Sequence, residues 1–118
     1  MKNLQNNFTT PEQSKMLSEL GVPADSADFY YDKDEVEIDE ITHPYILPFN
    51  RKFSNYNDMF YLPCWSVGRL MEICKICEPK KDYEQLCEEL QYSQNYCVVI
   101  ISHIIVNLQV IDFSKFEE

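Results

Sequence analysis

The chain has 118 residues, is 45% hydrophobic and 14% aromatic, and carries twenty acids against ten bases, a net charge of −10. This length fits one domain with a core of its own, and with only Gly21 and Gly68 for glycines, Gly-rich phosphate loops are excluded. The acidic balance argues against direct binding to nucleic acid or an anionic membrane, and points to solubility or a basic partner.

Residues 1–8 are polar, contain no apolar signal-peptide core and read as a flexible arm. Thr10-Pro-Glu-Gln13 then marks a helix over 11–20: Thr10 caps, Pro11 suits the first turn, and Gln13 reaches back. Gly21 ends it and Pro23 blocks its extension. Phe29-Tyr30-Tyr31 and 35–39 read as two strands joined by Asp32-Lys33-Asp34. In the second, Val36 and Ile38 face inward while Glu35, Glu37 and Asp39 face water. Tyr45-Ile46-Leu47, between Pro44 and Pro48, reads as an edge strand, 49–58 as a polar loop, and 59–62 as a last short strand.

Ser66 is the expected cap of a helix over 66–77 that stops before Pro79, with Val67, Leu70, Met71, Cys74 and Cys77 on one face. Asp82 and Gln85 form a second capping box, opening a helix over 82–92. Cys97, Ile100, Ile101, Ile104, Ile105 and Leu108 make a regular stripe in a segment over 95–109. Its β-branched content keeps a strand in competition, and its length and 3.6-residue period favour helix. The apolar window from Cys97 to Ile111 is too short and too often interrupted to span a bilayer. Residues 112–118 read as a tail in which Phe113 or Phe116 can dock. The expected fold is therefore α+β, a small antiparallel sheet from 29–48 and 59–62 packed with three to four helices.

Five cysteines without a secretion signal suggest reduced thiols in a cytoplasm. Cys74 and Cys77 form a CxxC, and with Cys87 and Cys97 (Cys64 lies upstream) they could supply four thiolates to zinc. Both members sit mid-helix on an apolar face, a pattern that favours core thiols, and a redox pair would need the start of a helix. No cofactor follows from the motifs. Asp32, Asp34, Glu35, Glu37, Asp39 and Glu40, with Asp25 and Asp28 nearby, form an acidic cluster. The glycine of a calcium loop is missing from it, so it reads as a solvated face or as a docking surface for a basic protein. His43 and His103 lack an acid, Cys or Ser placed to complete a triad, and His103 reads as a flank residue met by backbone or water. Trp65 and Arg69 are one helical turn apart and suit a cation–π pair, either as a core anchor or as an exposed contact.

Three stretches carry a family resemblance. Phe8-Thr-Thr-Pro-Glu-Gln-Ser-Lys15 with Leu20-Gly-Val-Pro-Ala-Asp-Ser-Ala-Asp28 and Tyr30-Tyr31 resembles the start of short proteins encoded in Bacteroides-type prophages and mobile elements. Leu62-Pro-Cys-Trp-Ser-Val-Gly-Arg-Leu-Met-Glu-Ile73 is similar to their Pro-x-Trp-Ser-x-x-x-Leu segment, and Asp112-Phe-Ser-Lys115 to their tails. The likeness covers about a third of the chain, and the acidic cluster and the cysteines from 74 onward are not part of it. It implies a mobile-element origin and a small bacterial protein; it implies no activity and assigns no functional residue. The resulting expectation is a non-enzymatic protein–protein interaction module, in its specific form an acidic decoy for a basic nucleic-acid-binding protein. The alternatives are a zinc-binding or enzymatic domain built on the cysteines, and a homo-oligomer in which the Cys97–Leu108 stripe packs across a two-fold axis.

Overall fold

The computed structural model describes residues 7–38 and 43–116. Within them the order is α1 (Pro11–Leu20), a 3-10 turn (Ala24–Ser26), β1 (Phe29–Asp32), α2 (Lys33–Ile38), β2 (Tyr45–Ile46), a 3-10 turn (Phe53–Asn55), β3 (Tyr61–Cys64), α3 (Val67–Cys77), α4 (Lys80–Leu90) and α5 (Tyr96–Val106). Two further 3-10 turns, Leu108–Val110 and Phe113–Lys115, close the described chain. The fold is α+β, with an antiparallel sheet in the order β2-β1-β3.

The helix ends follow local chemistry. Thr10 accepts from the Gln13 amide while the Gln13 side chain accepts from the Thr10 amide, a complete capping box. Gly21 takes φ +102° at the other end of α1, a left-handed conformation that side chains resist. Ser66 caps α3 by accepting from the Arg69 amide, and Asn95 caps α5 by accepting from Val98. Residues 96–106 are helical, so period prevails over β-branching, and Asn107 ends the helix by donating to the His103 carbonyl.

Four expectations change. The acidic segment 35–39 is not a strand: Lys33–Ile38 is helical, and Asp39 and Glu40 lie outside the described residues. Asp32 Oδ1 accepts from the Asp34 amide as a cap would, and Asp34 and Glu35 occupy the first turn, where the helix dipole favours acids. The last strand begins at Tyr61 rather than 59, because a turn closed by the Phe60 and Tyr61 amides on the Asn57 carbonyl precedes it. Helix α4 begins at Lys80, directly after Pro79, so Asp82 is a first-turn acid and not a cap. At the end of the expected N-terminal arm, Phe8 forms a bridge with Ser66 and the Thr9 amide donates to the Trp65 carbonyl at 2.9 Å; residues 1–6 lie outside the described residues.

The main core lies between α1, α3, α4 and α5, with Leu17, Trp65, Leu70, Leu86 and Ile100 fully buried. Phe113 and Phe116 pack against it, and the Asp112 amide donates to the Cys77 carbonyl at 2.8 Å. A smaller cluster of Tyr31, Leu62 and Cys64 fills one face of the sheet, covered by Phe8, Phe29 and Val36. No helix of the described residues is long and apolar enough to cross a membrane.

Candidate functional site

Strand alternation sends Tyr31 and Leu62 to the small core and leaves Tyr30, opposite Tyr45 and Pro63 in register, on the other face. Three more tyrosines gather around Tyr30. Tyr45 stacks on it at 5.4 Å between ring centroids, Tyr56 lies at 5.1 Å, and Tyr61 meets it edge-on at 5.4 Å. Tyr56 and Tyr61 also meet edge-to-face, at 5.6 Å. These are favoured geometries for ring quadrupoles and hold the cluster in shape.

Carboxylates border the cluster. Both Glu35 oxygens accept from the Tyr45 hydroxyl, at 2.9 and 2.8 Å, and that bond raises the Tyr45 pKa. Asp25 Oδ1 accepts from the Ser54 amide at 2.6 Å, tying the turn before β1 to the loop before β3. Between these two segments lies an open cleft of about 500 Å³, lined by Asp25, Phe53, Tyr56 and Asp58 among others. Phe60 is joined to α2 through its carbonyl, which accepts from the Lys33 amide, and both Met59 and Phe60 are exposed. From Asp32 to Asp58 there are seven acids and three bases, so this part of the chain carries an excess of negative charge.

The acidic candidates therefore have separate places. Asp32 caps α2, Asp34 is exposed on it, and Glu35 holds Tyr45; the Glu37 side chain lies outside the described residues, as do Asp39 and Glu40. Asp28 accepts from both the amide and the hydroxyl of Ser66, so it secures the start of α3. His43 is exposed. The tyrosines were the part of the site that sequence reasoning missed. Eight tyrosines in 118 residues was the only signal, and it does not say which four converge.

No protein-family model matches the chain, and no curated protein or solved structure matches it either.

The other candidates lie inside. Trp65 is fully buried and its indole N–H donates to Ser26 Oγ at 3.0 Å, so it is a core anchor and presents no surface to a partner. Arg69 does not stack on Trp65. Its guanidinium lies 4.9 Å from the centre of the Phe116 ring, its Nε donates to the Ser26 carbonyl at 2.7 Å, and it pairs with Glu72 at 2.9 Å. Cys74 and Cys77 belong to the main core, whereas buried Cys97 lies near Cys64 and Tyr31. Cys87, on α4, is half-buried. Among the described residues no three His, Cys, Asp or Glu side chains are placed to hold a metal ion. Burial pushes the Cys64 thiol up to about 12 and the Cys97 thiol up to about 11, and raises Cys74 and Cys77 as well. A thiol raised in this way stays protonated at neutral pH, which disfavours it as a nucleophile.

One buried polar pair departs from expectation. His103 is met by an acid from another element: its Nε2 lies 2.7 Å from Glu78 Oε1, with both side chains almost completely enclosed. The Asn107 amide is 3.2 Å from Nδ1 and a Glu89 oxygen 3.9 Å from it. Glu78 Oε2 has no hydrogen-bond partner within normal geometry, although the Cys74 thiol lies beside the carboxyl. Burial raises the Glu78 pKa, outweighing the opposing pull of His103. The cluster joins the α3–α4 turn to α5 and is enclosed by the packing around it.

Proposed function

We propose that this chain is a non-enzymatic interaction module that docks a basic segment of a partner protein on the acid-bordered tyrosine face around Tyr30. The observation that carries this reading is the packing of Tyr45, Tyr56 and Tyr61 about Tyr30, next to a cleft that holds Asp25 and Asp58. Aromatic faces attract guanidinium and ammonium groups, and neighbouring carboxylates add charge-assisted hydrogen bonds. Arginine suits both, because its planar head stacks and forks at once. The acidic chain as a whole steers a cationic partner toward contact. In its most specific form the module is an acidic decoy of a mobile element, occupying the basic surface of a nucleic-acid-binding protein. The resemblance of the Trp65 segment and the flanking motifs to prophage proteins supports that origin.

The test is calorimetric titration of the purified protein with an Arg-rich peptide and with a Glu-rich control. It is run at about 50 mM and about 500 mM salt, between which the Debye length shrinks roughly threefold. Binding of the basic peptide alone, weakened by salt and by Tyr45→Ala or Asp58→Asn, is expected. Equal binding of both peptides, or an affinity indifferent to salt, would overturn the reading.

A further inference from the structure

Helix α5 is apolar on nearly every side, an arrangement that in a globular protein calls for burial all round. One side is satisfied: Cys97, Ile100, Ile101, His103 and Ile104 are buried, and α5 packs on α1, α3 and α4. The opposite side is bare. Val98 is 47% exposed, Ile105 50% and Val106 75%, with Ser102 exposed between them. The stripe expected to cross a two-fold axis is thus split. Cys97, Ile100, Ile101 and Ile104 belong to the core of the single chain, Ile105 and Leu108 remain outside, and Val98 and Val106, which lie off that stripe, join the exposed side.

Charge identifies the occupant. From Tyr96 to Ile111 there is no Asp, Glu, Lys or Arg, in a chain whose net charge is −10. A basic partner would find nothing to pair with here. Two copies of the chain would repel over their acidic surfaces, and this helix can meet its counterpart without setting carboxylates of its own against each other. The face is also self-complementary. Val98 and Val106 lie four residues to either side of Ser102. An antiparallel pair of α5 helices centred on Ser102 sets Val98 of one copy against Val106 of the other, with Ile105 closing the flanks and the small Ser102 letting the backbones approach. The antiparallel arrangement also opposes the two helix dipoles favourably.

We infer that the outer face of α5 is a two-fold self-association surface, formed by Val98, Ser102, Ile105 and Val106 and distinct from the tyrosine face. One exposed helix face makes a small interface, so the dimer is weak and concentration-dependent.

Sedimentation equilibrium on the full chain, from about 10 µM to about 1 mM, brackets that range of affinity. The expected result is a mass that rises from monomer toward dimer. Added salt should strengthen the association by screening the repulsion between copies. Ile105→Glu and Val106→Glu, both at exposed positions, should hold the protein monomeric with an unchanged circular dichroism spectrum. Mild oxidation of Ser102→Cys should give a disulfide-linked dimer on a non-reducing gel that the parent protein does not form. A monomer at every concentration leaves this face to some other protein and overturns the inference, as does a dimer that survives both glutamate substitutions. A dimer that Ser102→Cys fails to cross-link overturns the antiparallel register.

Discussion

Thr9→Val tests whether the segment before α1 is part of the folded core. Thr9 is fully buried, and its hydroxyl accepts from the Trp65 amide at 3.1 Å and lies 2.8 Å from the Ser14 hydroxyl. Its carbonyl also accepts from the Tyr31 hydroxyl at 2.6 Å, a bond the substitution leaves in place. Valine keeps the volume and removes only the oxygen. The lost hydrogen bond costs about 1 kcal/mol, and stranding the Trp65 N–H inside adds about 1–3 kcal/mol. The total of about 2–4 kcal/mol corresponds to a fall in melting temperature of roughly 8–15 °C for a chain of this length. Trp65 is the only tryptophan and is buried in the fold, so its emission reports unfolding in urea or on heating. Thr9→Ser keeps the oxygen and sheds one methyl, and should cost about 1 kcal/mol. A Thr9→Val protein that melts within about 2 °C of the parent, well inside the shift expected, would refute the assignment. So would a larger loss for Thr9→Ser than for Thr9→Val.

Two further outcomes follow from the buried groups. Burial raises the Glu78 carboxyl above its ordinary 4.5, so the native state holds that proton more tightly than the unfolded chain does. The stability this contributes is complete below about pH 4.5 and is lost as pH rises through the native value. Glu78→Gln retains an acceptor for His103 and cannot ionise. It should match the parent near pH 4 and become progressively the more stable of the two toward pH 8, as measured by urea titration across that range; a difference that stays flat or reverses would contradict the sign. For the thiols, Ellman's reagent at pH 8 should modify half-buried Cys87 first, with Cys64, Cys74, Cys77 and Cys97 reacting only on unfolding; rapid modification of Cys74 in the native protein would contradict its enclosure.

The separation between what could be read and what could not follows the reach of each interaction. The start and end of α1, the cap of α3 and the helical state of 96–106 depend on residues no more than a turn or so away, and they were legible as motifs. So was the burial of Cys74 and Cys77, which follows from their place on an apolar helix face. The acidic segment after β1 was misread because five alternating residues fit two periods. A strand and a short helix both accommodate Val36 between charged neighbours, and Asp32 decides for helix by capping it.

The candidate site was legible only as a surplus of acid and of tyrosine. The amino-acid sequence by itself determined the fold class, both ends of α1, the cap of α3, the apolar stripes and the acidic balance, because propensity, capping and periodicity act within a few residues. Only the tertiary structure decided that Tyr30 meets Tyr45, Tyr56 and Tyr61, that Thr9 meets Trp65 56 positions away, and that Glu78 meets His103 25 positions away. Those contacts depend on how strands pair and helices cross, and no local pattern encodes which distant side chains are brought to the same place.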